Sequence, residues 1–111
     1  MDWKEMLGDT TKGLREIKKV KPEIQKGFGA LHNAVLDDGV LSVKHKELQA
    51  VAIAVAMRCN DCIGSHIVSA IKAGATREEL VDTLGVAVLM GGGPAYMYAG
   101  HAIDAWDELS D

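Results

Sequence analysis

From Ala50 to Met57 the chain passes through eight apolar residues without a break, and this stretch constrains the fold more than any other. A run of that length suits either a buried strand or two turns of a buried helix. The lead-in KHKEL and the alanine at every second position favour helix. A helix that is apolar all round must be covered on most sides, and its small residues let neighbouring backbones approach closely. Ser42 is a good N-cap for it, and the spacing predicts a helix to about Arg58 through Leu48, Val51, Ala52, Val55 and Ala56.

The remaining elements are also helical in pattern. Asp2 to Lys19 carries Trp3, Met6, Leu7, Leu14 and Ile17 at loosely helical spacing, weakened by Gly8 and Gly13. Pro22 suits the first turn of a second helix, in which Ile24, Phe28, Leu31 and Val35 form one stripe, and Asp37, Asp38 and Gly39 end it. Cys59 or Asn60 opens a fourth helix through Ile63, Ile67, Val68, Ala70 and Ile71, and Gly74 is placed to close it in a left-handed conformation. Thr76, with Glu79 three residues on, is a capping box for a fifth helix carrying Leu80, Leu84, Val88 and Leu89. Gly91, Gly92 and Gly93 stop that helix, and Pro94 starts a last one with Tyr98, Ala102, Ala105, Trp106 and Leu109 on one face. The glycine run lacks the Lys-Ser/Thr of a phosphate-binding loop and reads as a helix break. No alternating stretch with hairpin chemistry occurs, so the expected fold is an all-α bundle of about six helices.

The 111 residues make one domain, 1–111, long enough to bury roughly two-thirds of the surface its unfolded form exposes. With 48% apolar residues and two helices apolar on nearly every side, a lone domain has too little interior to cover both. A homo-oligomer is therefore expected. The net charge of -4, with acidic and basic residues interleaved, offers no stripe for nucleic acid. The charged N-terminus lacks the apolar segment of a secretion signal, and no uninterrupted apolar run reaches the roughly 18 residues of a membrane span. The expected location is cytoplasmic, with no membrane partner.

The reactive side chains crowd into Glu47 to His66. Cys59 and Cys62 stand at C-x-x-C, and His66 follows one turn beyond Cys62 on the same helical face. A cysteine in a helix's first turn faces unpaired N–H groups and the positive end of the dipole, which stabilise thiolate. One thiolate can attack a peroxide oxygen or a disulfide, and the other can resolve the product as an intramolecular disulfide, with no cofactor required. The competing readings are two small hydrophobes packed in a helical hairpin, or a zinc site from Cys59, Cys62, His66 and Glu47. A c-type haem is excluded in practice, since Ile63 follows the second cysteine. Glu47 is either a first-turn carboxylate favouring the dipole or one held for chemistry. A straight antiparallel hairpin leaves it roughly 10 Å along the axis from Cys62, so direct contact needs an oblique crossing.

The spacing Glu47-x11-Cys59-x2-Cys62-x3-His66 resembles the signature of the AhpD-like alkyl hydroperoxidases of the carboxymuconolactone decarboxylase family. DGVLSVKHKEL before the site, GATREEL after it and VLMGGGPAYMY near the end are similar to the compact members, from about Phe28 onward. The resemblance implies an all-helical subunit in a trimer or hexamer that reduces hydroperoxides. It implies that Cys62 is the peroxidatic cysteine, that Cys59 resolves it and meets the reductant, and that Glu47 and His66 form the proton relay. The implied reductant is a dithiol donor, lipoylated or thioredoxin-like.

Asp61 departs from the histidine that the best-characterised relatives carry just before the second cysteine. A carboxylate there opposes thiolate formation unless it serves only to cap the helix. The decarboxylase branch usually lacks the cysteine pair, which leaves lactone decarboxylation as a minor alternative. A non-catalytic module whose cysteines sense redox state or simply pack is the alternative of a different class. His32 beside the second helix's stripe, His45 among lysines and His101 on the last helix read as structural or surface residues, with His32 or His101 the candidates to line a pocket.

Overall fold

The structure, a computed structural model, describes residues 1–110 and is built of helices. Asp2 caps the first, α1 (Trp3–Val20), by accepting from Glu5 N. The same end is clamped from the far terminus of the chain, where the Glu108 carboxylate accepts from the backbone N–H of Trp3 and of Lys4, each at 3.0 Å. α2 (Pro22–Val35) follows after the single linking residue Lys21. Ser42 caps α3 (Val43–Met57) by accepting from His45 N. Arg58 closes α3 in a left-handed conformation (φ 60°), and Cys59 at once caps α4 (Asn60–Lys72). Gly74, at φ 91°, takes the left-handed position expected of it just past α4.

The capping box at Thr76 forms in full and opens α5 (Arg77–Leu109). Here the structure has one kinked helix of 33 residues where two were expected, giving five helices among the described residues in place of about six. The break itself is where the glycines put it: Gly92 leaves helical geometry at φ 73° and ψ -156°, a conformation that side-chain-bearing residues rarely adopt. Pro94, lacking an N–H, restarts the second arm at once, so the arms join as one bent element. Taken whole, α5 has the length and apolar composition to cross a membrane, which run-by-run reading does not anticipate because the glycines divide it. In the fold, Leu80, Leu84 and Ala87 of its first arm and Ala95, Ala99, Ala102, Ala105 and Trp106 of its second are buried.

The core lies where α3 is held between α4 and α5. Val51 and Val55 of α3, Ile63 and Ile67 of α4 and Leu80 of α5 are fully covered. α1 docks on α4 through Trp3, the largest fully buried side chain, and Gly64 makes room for it. A Cβ at Gly64 would stand 3.3 Å from the side chains of both Leu7 and Trp3.

α2 is different. It packs helix-to-helix only against α1 and buries no residue. Its predicted stripe of Ile24, Phe28, Leu31 and Val35 is exposed, as are Leu14 and Ile17 of α1. Lys46 of α3 holds its C-terminal end by donating to the carbonyl oxygens of Val35 and Asp37. α3 is also less enclosed than its composition suggests, with Ile53 and Met57 open to solvent.

Candidate functional site

The α3–α4 hairpin turns so tightly that the site follows from residue counting. Glu47 lies eleven residues before Arg58 and His66 eight after it, a mismatch of three residues, or about 4.5 Å along the helix axis. Modest obliquity closes that gap: His66 Nδ1 and Glu47 Oε1 are 2.6 Å apart. Glu47 therefore reaches His66 and not Cys62, which resolves the length mismatch that a direct contact would face. An ionised carboxylate has no hydrogen to give, so Nδ1 donates, and Nε2 is left as the nitrogen that can take up or release a proton. Glu47 is 4% exposed, the one buried charged residue among those described, while His66 is half-buried. A buried carboxylate needs a partner to offset lost hydration, and here the partner is the imidazole.

Cys59 and Cys62 are joined as a disulfide, with Cα atoms 5.2 Å apart. Cys59 is the N-cap residue of α4, its Sγ accepting from Cys62 N at 3.2 Å. Both sulfurs thus lie at the positive end of the α4 dipole, which would favour thiolate once the bond is reduced. Cys62 is exposed and Cys59 half-buried.

Cys62 and His66 open onto a cleft of about 520 Å³ between α1, α2 and α4. Leu7, Leu14 and Phe28 give it apolar walls, and Thr11, Ser65 and Ser69 add hydroxyls. Asp61 lines it as well, but its carboxylate is engaged: Thr10 Oγ1 of α1 donates to Asp61 Oδ1. The departure at position 61 is therefore neither a simple helix cap nor an unpaired charge beside the thiols.

Of the other histidines, His32 enters the cleft, its ring stacked on His66 with centroids 6.2 Å apart and planes at 20°. His101 instead packs on Tyr98, at 4.7 Å between centroids, and His45 is exposed near the start of α3. Tyr96 and Met97 lie along an apolar groove between the arms of α5, away from the thiols. The four residues of the zinc alternative do not converge: among the described residues no group of three or more His, Cys, Asp or Glu is placed to hold a metal ion.

Sequence reasoning missed the α1 wall and Thr10. The signal was present, since Leu7, Thr10, Thr11 and Leu14 fall at i, i+3, i+4 and i+7 and so share one helical face. Nothing in the pattern said that this face would meet α4 at Asp61.

Comparison with known proteins gives a consistent result. The sequence model of the carboxymuconolactone decarboxylase family matches residues 22–105. An uncharacterized protein of Cupriavidus necator is 36% identical over 109 residues, covering 98% of this chain and 96% of that protein. The crystal structure of an apo family protein from Legionella pneumophila superposes with a TM-score of 0.95 at 47% identity, covering 98% of this chain and 97% of that one. A Thermotoga maritima family protein, whose description raises a role in antioxidative response, gives a TM-score of 0.82 at 30% identity, with 95% and 90% covered.

Proposed function

The chain belongs to the carboxymuconolactone decarboxylase family, and from that membership together with its cysteine pair we propose that it is a thiol-dependent hydroperoxide reductase. The observation that carries the reading is the Glu47–His66 hydrogen bond, which orients an imidazole one helical turn from Cys62 inside the same cleft. Neither a packing role for the cysteines nor a structural disulfide calls for a buried carboxylate aimed at that ring. The antioxidative role raised for the Thermotoga maritima protein points the same way.

In the reduced protein, Cys62 gives its proton to His66 Nε2 while Nδ1–H remains on Glu47. The thiolate attacks the terminal oxygen of a hydroperoxide, the O–O bond breaks, and the departing alkoxide takes the proton back from His66 and leaves as the alcohol. Cys62 is now a sulfenic acid. Cys59 sulfur attacks Cys62 sulfur, hydroxide leaves with the Cys59 proton as water, and the disulfide forms. A dithiol donor, lipoylated or thioredoxin-like, then supplies two electrons by exchange and is itself left as a disulfide. The apolar walls of the cleft suit an organic hydroperoxide. The exposed faces of α2 and α5 favour a homo-oligomer, trimer or hexamer, as the working form.

The test is the loss of thiols when stoichiometric cumene hydroperoxide meets the reduced protein. Both thiols should disappear far faster than those of a free-thiol control, and Cys62→Ser should remove the acceleration. Oxidation no faster than free thiol, or a Cys62→Ser protein that still turns over, would overturn the reading.

A further inference from the structure

Glu47 is buried from the thiol cleft but not sealed. A second cavity of about 430 Å³ reaches it from the α2–α3 side, lined by Asn33, Leu36 and Asp37 together with Glu47 itself. His32 lines both this cavity and the thiol cleft, so it stands at the partition between them. His32 is exposed, and its ring is stacked on that of His66.

This arrangement answers a difficulty of the relay. A substrate seated against Cys62 covers the face from which His66 opens to the cleft, so proton exchange with water through that mouth stops while it is bound. A group beside the pair, open to water by another door, keeps exchange possible throughout. Of the side chains that take up and release protons near neutral pH, imidazole is the standard choice.

We propose that His32 is the proton-exchange residue of the site, passing protons between water in the α2–α3 cavity and the Glu47–His66 pair. It acts through His66 and does not touch the reacting oxygen, so it is a positioning residue. The ionisable groups around it are Glu47 from α3, His66 and Asp61 from α4, and Asp37 from the α2–α3 link. α1 presents only Leu7, Thr10, Thr11 and Leu14 to the cleft, none of them ionisable. Asp61 is bound by Thr10, which leaves Glu47 as the carboxylate that both His66 and the second cavity share.

The proposal rests on Glu47 and His66 acting as a proton relay, but its test does not need peroxidase activity. In the disulfide form with the thiol cleft filled by cumyl alcohol, the alcohol that cumene hydroperoxide would leave, the His66 Nδ1 proton held on Glu47 is followed by nitrogen-15 imidazole NMR, and its exchange with water is timed. His32→Gln should lengthen its lifetime about tenfold, a modest share of what a positioned proton-transfer group contributes. Free imidazole added to that variant should restore fast exchange, which a merely structural role for His32 would not allow. An unchanged or shortened lifetime, a lengthened one that imidazole leaves in place, or a proton visible in neither protein would overturn it. Failure of peroxide to oxidise the wild-type thiols would sink the proposed function while leaving this result to stand or fall by itself.

Discussion

The α3–α4 hairpin and the α1–α2 hairpin are both pairs of helices joined by short links, yet they bury very different amounts. The first places Leu48, Val51, Ala54, Val55, Ile63, Ile67 and Ala70 in the core, along with Glu47. The second buries Trp3 alone. The Glu47–His66 hydrogen bond sits on the buried pair, where packing fixes the distance between the two side chains. The outer wall of the cleft, including Phe28, His32 and the hydroxyl that binds Asp61, comes from the loosely held pair. The hydrogen-bonded pair and the outer wall of the cleft thus belong to regions of unequal burial, for which unequal local stability is expected.

The contrast is most sharply broken at Trp3. Trp3→Ala removes the one deep anchor of the peripheral hairpin and should cost about 3–5 kcal/mol by chemical denaturation, as for other buried aromatics. If the hairpins are as unequal as their burial indicates, amide exchange in the variant should rise across α1 and α2 while α3 and α4 stay protected relative to the global stability. Uniform loss of protection would mean that the two hairpins open as one unit.

Glu47→Gln probes the rigid pair. The amide keeps the shape of the carboxylate and still offers Nδ1 an oxygen, so stability should change by no more than about 1 kcal/mol, since the hydrogen bond is kept and no buried charge is left unpaired. The negative charge that supports a protonated His66 is lost, and peroxide-driven disulfide formation should slow about 100-fold, in the range of general acid–base catalysis. A variant as fast as wild type would reduce Glu47 to a packing residue.

How much of this was legible beforehand follows the same division. The caps at Ser42 and Thr76, the left-handed Gly74 and the break at the glycine run were readable because each depends on a few neighbouring residues. The spacing of Glu47, Cys59, Cys62 and His66 was readable because they lie on one hairpin, although counting from the turn leaves a gap that only an oblique crossing of the two helices closes. Three things were not. The bonding of Asp61 to Thr10 joins residues 51 positions apart, and no local rule brings α1 to that place. His32 was readable as a candidate to line a pocket, but its place against the His66 ring was not, since the stripe of its own helix is left open in the structure and does not show where α2 sits. The continuity of α5 across Gly92 depends on tertiary packing of both arms and not on the glycines themselves.

Asp61 and Thr10 join the two hairpins directly, and they predict changes of opposite sign. Asp61→Asn removes a negative charge next to the sulfurs, favours thiolate and should speed alkylation of the reduced pair by iodoacetamide, on the order of threefold to tenfold for a partly solvated charge at this range. Thr10→Val strips the hydroxyl from the carboxylate, leaves its charge less compensated and should slow alkylation by a smaller factor. Changes of the same sign would mean that both substitutions act by disturbing the α1–α4 contact and that charge at position 61 is immaterial.

The smallest effect on the chain itself is expected on α2. Phe28 and Leu31 are 67% and 61% exposed, so replacing both with serine should alter the stability of the separate chain by about 0.5 kcal/mol or less, as at other surface positions. Their side chains still form a contiguous apolar face with Ile24 and Val35, which in an oligomer would be covered by another copy. Light scattering coupled to size-exclusion chromatography then separates two outcomes. A wild-type oligomer that falls to monomer in the double variant would show that the peripheral hairpin is loosely held only in the single chain, its second set of contacts being supplied by the neighbour. An assembly unchanged by the substitutions would move the interface elsewhere, the exposed face of α5 being the next candidate, and would leave α1–α2 as a mobile wall of the cleft in the working protein.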